Sequence, residues 1–327
     1  MEKHFFKRTL ALLAALCLLM GIAAANAEII FEKGAPVYPA VADGAPDPAA
    51  PAPFIPVNAA AERTADGEAR PALLEIWFIR INVCDAFLVR CNGETMLIDG
   101  GDVGNGQALM EFLNRMNLTH VNYLFNTHHD NDHIEMQQFL LAHGFEADEF
   151  LTPYERGYPV PAQLRMEALV DERKIPYHTV HDGDTMRLGG ERGALVEFFR
   201  WDGSTNANYA SMMCKITLNN RSVFFLADVI SIAQTALAKD RRDIPWRSDI
   251  LKLGHHGYSR QCMELLQLID PEMCVMTNTR LGGQKAYDQM ARLKIPLLLT
   301  TQGTIYLNTD GGNAWHYTQD KGRPAKP

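Results

Sequence analysis

The sequence predicts a layered α/β unit, and three observations carry that prediction. β-branched and aromatic runs alternate with amphipathic helical stretches, polar clusters follow directly on such runs at His128–His133, Asp228 and His255–His256, and no repeat of fixed period interrupts them. Polar residues at the strand ends of one α/β unit converge on one rim of the sheet. With 327 residues, 47% of them hydrophobic, the chain is long enough to bury a full core.

Three regions succeed one another. Residues 1–27 carry the pattern of a cleavable secretory signal: Lys3, Lys7 and Arg8, an apolar run from Leu10 to Ala24, then Ala25-Asn26-Ala27 before Glu28. This predicts export, to the cell envelope or beyond it. Residues 28–72 are rich in Ala and Pro, show no apolar period, and read as an extended linker. Residues 73–327 form the predicted catalytic domain. No run after the leader is long enough to span a bilayer.

Charge narrows the partners. The formal net charge is −8, and because Glu2, Lys3, Lys7 and Arg8 give the leader a net +2, removing it leaves −10. A nucleic-acid binder shows a basic face; here basic residues cluster only locally, as at Lys239-Asp240-Arg241-Arg242. The expected partner is a small molecule, or a polymer held through metals. Cys84, Cys91, Cys214, Cys262 and Cys274 are too widely spaced for a zinc pattern or a disulfide framework, so one bridge at most is expected. Cys84 reads as a packed small residue, since no partner base is visible.

Strands are expected over Leu74–Ile81 and Ala86–Cys91, with Asn92-Gly93 turning the chain into Thr95–Ile98 and Asp99-Gly100-Gly101. A helix over Gln107–Met116 places Leu109, Phe112, Leu113 and Met116 on one stripe. Val121–Phe125 is a strand that discharges into His128-His129-Asp130-Asn131-Asp132-His133, followed by a helix ending at Gly144. A helix over Ala162–Glu172 leads to strands at Leu195–Arg200, Ser211–Leu218 and Ser222–Leu226, the last two joined at Asn219-Asn220. Ile250–Leu253 runs into Gly254-His255-His256-Gly257; helices near Met263 and Tyr287 and strands at Leu297–Thr300 and Thr304–Asn308 complete the domain.

Consecutive imidazole, carboxylate and amide side chains at a strand-to-helix junction suit metal binding, because they are the nitrogen and oxygen donors that divalent cations select. The competing reading is a polar turn in which Asp132 caps a helix beginning at His133. Asp228, after VFFLA, could end a hairpin, and Asp99 could belong to a plain turn. Taken together, the clusters fit two cations bridged by one carboxylate, roughly 3.5–4 Å apart as two-metal hydrolases require.

HxDxDH after a strand, the earlier LIDGG, the later FFLAD and LKLGHHG together resemble the metallo-β-lactamase superfamily. Within it the chain is similar to the ComEC-type domain of DNA-internalisation competence proteins and to exported phosphodiesterases such as the choline-phosphate esterases. The likeness runs from about Glu75 to Tyr317, through WFIRINVCDAFLVRCNGETMLIDGG, NYASMMCKITLNNRSVFFLAD and TTQGTIYLNTDGG. It implies a four-layer αβ/βα sandwich with metals at the shared edge of two sheets. It also implies two divalent ions, zinc first and manganese beside it: His128 and Asp130 on the first, Asp132, His133 and His256 on the second, Asp228 bridging. Asp99 would orient ligands through hydrogen bonds, Asn208 would stand near the site, and His129 would face solvent or substrate.

Two departures accompany the resemblance. Where the competence-type domain carries an Asp and Gly-Gln-Gly before Asp-Ala, this chain has Arg80 and Asn82-Val83-Cys84 before Asp85-Ala86. The superfamily's lone histidine before the bridging Asp has no counterpart; the region offers Asn206, Asn208 and Ser211 instead. The implied activity is hydrolysis by a metal-bound hydroxide. Asp130, standing where lactamase-type enzymes carry a histidine, favours harder cations and phosphodiester substrates. Asp132 and His255 are the expected catalytic groups, His255 as proton donor or substrate contact. Because adjacent side chains of an extended chain point to opposite sides, His255 and His256 are expected to serve different ends. Hydrolysis of a lactone, thioester or amide, and an exported binding protein of weak catalytic power, are the alternative readings.

Overall fold

The computed structural model describes residues 30–32, 35–37, 73–312 and 314–320. The leader expected over 1–27 lies outside the described residues, as does most of the linker expected over 28–72. The chain divides into two compact units, residues 1–50 and 51–327. In the first, β1 (Ile30–Glu32) and β2 (Ala35–Val37) pair antiparallel.

The second unit opens with an antiparallel meander, β3 (Leu74–Phe78), β4 (Phe87–Cys91) and β5 (Glu94–Ile98). Asn92 at φ 47° and Gly93 at φ 93° form the tight turn between the last two. Then α1 (Gln107–Arg115), β6 (His120–Phe125), α2 (Asn131–Ala142), β7 (Glu146–Thr152), α3 (Pro161–Arg173) and β8 (Tyr177–Thr179) follow. Their strands add parallel to β5. A second sheet is built from β9 (Thr185–Leu188), β10 (Ala194–Phe199), β11 (Met213–Leu218) and β12 (Arg221–Phe225), all antiparallel. It continues in parallel through α4 (Ser231–Asp240), β13 (Ile250–Lys252), α5 (Met263–Ile269), β14 (Met273–Met276), α6 (Gln284–Leu293) and β15 (Leu297–Leu299). β16 (Ile305–Thr309) and β17 (His316–Gln319) return to the first sheet beside β3.

Side-chain alternation along the strands makes the layers. Leu74, Ile76 and Phe78 face Val196, Cys214, Ile216 and Phe225 of the other sheet, and Phe78 stacks on Phe225 at 5.5 Å between ring centroids. On the opposite face Trp77 meets Phe112 of α1. Phe224, Leu251 and Cys274 pack outward against Leu237, Leu265 and Met290 of α4, α5 and α6. The result is helix, sheet, sheet, helix, as the sequence predicts.

Both sheets switch from antiparallel to parallel part-way across, and this positions the site. β5 and β6 end together, Ile98 opposite Phe125, and β12 and β13 end together, Phe225 opposite Lys252. Whatever follows those strands emerges on one rim, the usual place for ligands in parallel sheets. Boundaries shift by a few residues from expectation; β7, β8, β9, α4, β14 and β17 go unread in the sequence, and β1 and β2 stand where only an extended linker is expected. β7 is EADEFLT, whose opening acids resemble a loop; β14 is only MCVM; α4 carries little amphipathic contrast. All five described cysteines are free and four are buried, within the limit of one bridge at most, and burial pushes the Cys84 thiol up to about 12. No helix among the described residues is long and apolar enough to cross a membrane.

Because Leu74 is fully buried and opens a strand flanked on both sides, a chain starting at Leu73 should melt cooperatively. Calorimetry against the full chain checks this, and a broad, non-cooperative transition would show that residues 28–72 contribute to the core.

Candidate metal centre

Asp99, Thr127, His128, Asp228, His255 and His256 all lie within four residues of the end of β5, β6, β12 or β13, and Asp130–His133 continue into α2. The α2 N-cap is Asp130, whose side chain makes no capping bond, and the helix begins at Asn131. The capping role considered for Asp132 is therefore excluded: it lies inside the first turn, as does His133.

Backbone strain marks this rim. Asp99, Ala227, His255 and His256 have φ of 54°, 45°, 49° and 50°, a left-handed conformation that costs non-glycine residues about 1–3 kcal/mol each. Ala227 is held there from both directions, its carbonyl accepting from the backbone N–H of His255 at 3.0 Å and from Lys252 Nζ at 2.9 Å. Gly254 admits the following turn, because a Cβ there would stand 2.3 Å from the carbonyl oxygen of Val229.

Asp228 Oδ2 is the centre of the cluster. Four imidazole Nε2 atoms approach it: His256 at 3.2 Å, His133 at 3.4 Å, His255 at 3.9 Å and His128 at 4.0 Å. Asp132 Oδ2 lies 3.2 Å from His256 Nε2, and Asp130 Oδ2 3.7 Å from His128 Nε2. Extended alternation had separated His255 from His256, but both are in left-handed turn geometry and both converge on Asp228. What distinguishes them is environment. His256 is fully buried, whereas the His255 side chain is 31% exposed and its Nε2 meets Asn208 Nδ2 at 3.2 Å. Asn208 thus serves His255 and none of the buried imidazoles.

Each buried imidazole is fixed through Nδ1. His133 Nδ1 meets Asp99 Oδ2 at 2.7 Å, and His128 Nδ1 meets Thr127 Oγ1 at 3.0 Å, while that hydroxyl donates to Asp99 Oδ2 at 2.7 Å. One carboxylate therefore orients two imidazoles, which removes the plain-turn reading of Asp99. His256 Nδ1 meets Asp85 Oδ1 at 3.0 Å. The other nitrogen, Nε2, of His128, His133 and His256, and Oδ1 of Asp228, are buried with no hydrogen-bond partner. Unpartnered imidazole nitrogens gathered around one carboxylate, each ring backed at Nδ1 by an oxygen, are what a divalent cation requires. The donor set fits metal.

Electrostatics separate the rings, and a cation would take the place of the proton that the surrounding carboxylates favour on His133 and His256. Burial takes His128 down to about 3, so it is a neutral donor. Burial opposes charge on Asp228, yet His256 and His133 outweigh it and hold the carboxyl well below its usual range. Burial likewise opposes charge on those two imidazoles, which Asp228, with Asp99 for His133 and Asp85 for His256, raises well above the ordinary value. His255 is lowered, chiefly by burial.

Two residues given no role by the sequence complete the centre. Asp85 joins His133, Asp228 and His256 in one group of donor atoms within 4.8 Å of one another. Its oxygens are already engaged: Oδ1 accepts from Thr277 Oγ1 at 2.6 Å and faces His256, and Oδ2 pairs with the ammonium of Lys252. Lys252 is fully buried and also lies 3.8 Å from Asp228 Oδ1. A lone charge inside the apolar strand ILKL was the available signal, since buried lysines occur only when paired.

A family model, the metallo-beta-lactamase superfamily, matches residues 79–134, from the end of the first strand through the HxDxDH cluster. The two facing sheets, their outer helices and the site on the common rim agree with it. This is the metallo-β-lactamase fold. Similar solved structures include the CmlA beta-hydroxylase (16% identity, 71% of this chain and 52% of that one, TM-score 0.48). Others are the metallo-beta-lactamase fold protein YhfI from Bacillus subtilis (10%, 69% and 96%, 0.47) and a diphosphatase of the PhnP family (11%, 69% and 94%, 0.43). The match thus spans about half the length of CmlA. No curated protein matches the chain. A special likeness to the ComEC-type domain is not among these findings.

Lys252 generates a prediction here. Removing one partner of a buried ion pair leaves the other charge uncompensated, so Lys252→Ala should cost about 3–5 kcal/mol in denaturant unfolding of chelator-treated protein. Adding Asp85→Asn should recover part of that loss. Equal stability of Lys252→Ala and the parent chain would show the pair to be energetically idle.

Proposed function

We propose that the chain is an exported metal-dependent hydrolase that cleaves phosphodiester bonds. The observation that carries this reading is Asp228 Oδ2, surrounded by four imidazole Nε2 atoms and flanked by the carboxylates of Asp130 and Asp132. One carboxylate among so many nitrogen donors suits two ions sharing a bridge. His128 and Asp130 would hold the first with Asp228, and Asp132, His133 and His256 the second with Asp228. The mixture of carboxylate and imidazole accepts zinc, and its oxygen content admits manganese. Such ions supply Lewis acidity toward a phosphoryl oxygen and bring the ionisation of water near neutral pH. Export rests on the leader pattern of residues 1–27.

The remaining residues divide the work. Asp99, directly and through Thr127, and Asp85 keep Nδ1 of the buried imidazoles occupied, so that Nε2 is the nitrogen left for a metal. Asp132 fixes one edge of the reacting centre and lines the cavity through which substrate enters. His255 is partly exposed, its hold on a proton weakened chiefly by burial, and its Nε2 accepts from the Asn208 amide, so it is the group we assign to take up and return a proton at Nε2, with Asn208 orienting the ring.

Three variants test the division. Asp228→Ala should lower metal occupancy at both positions, and His256→Ala should lose metal and turnover together. His255→Ala should keep its metal while turnover of bis(4-nitrophenyl) phosphate falls roughly 10²- to 10⁴-fold, the usual contribution of a proton-transfer group. Elemental analysis beside turnover decides: full metal content in Asp228→Ala removes the bridge. A metal-free His255→Ala with a metal-replete His256→Ala reverses the two histidines. Hydrolysis of lactones, thioesters or amides with no phosphodiester turnover would overturn the substrate class.

A further inference from the structure

A cavity of about 500 Å³ opens beside the metal centre, and its walls differ sharply in charge. It is lined by His129, Asp130, Asn131 and Asp132 from one part of the sequence and by the start of α3, including Pro161 and Arg165, from another. His129 is a wall: its ring lies 5.1 Å from that of Tyr154 and 6.0 Å from Tyr158, and the tyrosine rings are 4.5 Å apart. α3 is anchored against α2, with Gln138 Nε2 donating to the carbonyl of Ala162 and Met166 buried. A side chain rising from α3 into the cavity therefore has a fixed origin.

Arg165 is that side chain, and among the described residues it has neither an ion pair nor a side-chain hydrogen bond. Its neighbours do: Arg156 pairs with Asp171, Arg173 donates to the carbonyl of Ala142, and Arg200 donates to the carbonyls of Ala210 and Pro153. Asp130 and Asp132 share the cavity with Arg165 without pairing with it, because they turn toward the imidazoles of His128 and His256. The cavity thus has two anion-attracting features, the metal donors and a guanidinium whose planar fork of N–H groups matches a carboxylate or phosphate.

We propose that Arg165 recognises a second anionic group on the substrate, a carboxylate or phosphate carried beyond the bond that is cleaved. This rests on the hydrolase reading above and extends it to a substrate class: phosphodiesters with an additional negative charge on the portion that lies along the His129 wall. The role is specificity, since Arg165 comes from α3 and the metal donors from other elements.

The test uses the full metal-loaded chain and three probes, phenylphosphonate, 4-carboxyphenylphosphonate and 1,4-phenylenebisphosphonate, with binding read by calorimetry. One charge-assisted contact should make a doubly anionic probe bind roughly tenfold or more tightly than phenylphosphonate. Arg165→Gln should abolish that ratio and leave phenylphosphonate affinity and metal content unchanged. Arg165→Lys should retain part of the preference, as a point charge does. The arm with the larger ratio tells carboxylate from phosphate. Phenylphosphonate binding with no preference for either doubly anionic probe, or a preference that survives Arg165→Gln, overturns the role of Arg165 and leaves the hydrolase reading standing. Failure of every phosphonate to bind, with no turnover of bis(4-nitrophenyl) phosphate, overturns both.

Discussion

The constraint on which this structure depends is the burial of the Asp228 carboxylate. An isolated anion cannot be taken out of water without several kcal/mol of penalty, so its surroundings must supply compensating charge. His133, His256 and Lys252 do so, with the His128 and His255 rings beside them, from two strand ends and the first turn of a helix. Those groups are themselves buried, and need oxygens of their own: Asp99 behind His133, Thr127 behind His128, Asp85 behind His256 and against Lys252. Within this network the Nε2 atoms of His128, His133 and His256 and Oδ1 of Asp228 are left without a hydrogen-bond partner, the three nitrogens gathered around Asp228 Oδ2. A cation at that point would satisfy what the protein leaves open.

Topology makes the network affordable. Two sheets, each turning parallel at β5 and β12, discharge their strands toward one rim, and the sandwich core of Phe78, Phe87 and Phe225 lies directly beneath. Close-packed aromatic rings resist displacement. They provide the rigid base against which Asp99, Ala227, His255 and His256 can be kept in left-handed conformations. Strain at the rim and dense packing below are two sides of one arrangement. The cavity above is bounded by helices α2 and α3, and its lining carries both carboxylate and guanidinium groups.

Much of the fold could be read along the chain because its signals are local. Asn92-Gly93 specifies a hairpin through the φ it tolerates, Leu109, Phe112 and Leu113 mark a helix face, and the runs ending at Phe125 and Phe225 announce strands by composition. Elements whose local character is ambiguous went unread. β7 opens on three acids among its first four residues, and β14 is too short to show a period; each is a strand because its neighbours supply hydrogen bonds.

The same division holds at the site. By itself the sequence determined the donor inventory, since HxDxDH, Asp228 and the His255-His256 pair bring imidazoles and carboxylates to strand ends, and that chemistry belongs to residue type. Only the tertiary structure decided which nitrogen of each ring faces inward. It brought Asp85 and Lys252, 167 positions apart in the numbering, into contact as a buried pair, and turned both His255 and His256 toward Asp228. The reason is physical: ligand geometry is set by φ in a turn and by hydrogen bonds between residues remote in sequence. A one-dimensional pattern records neither.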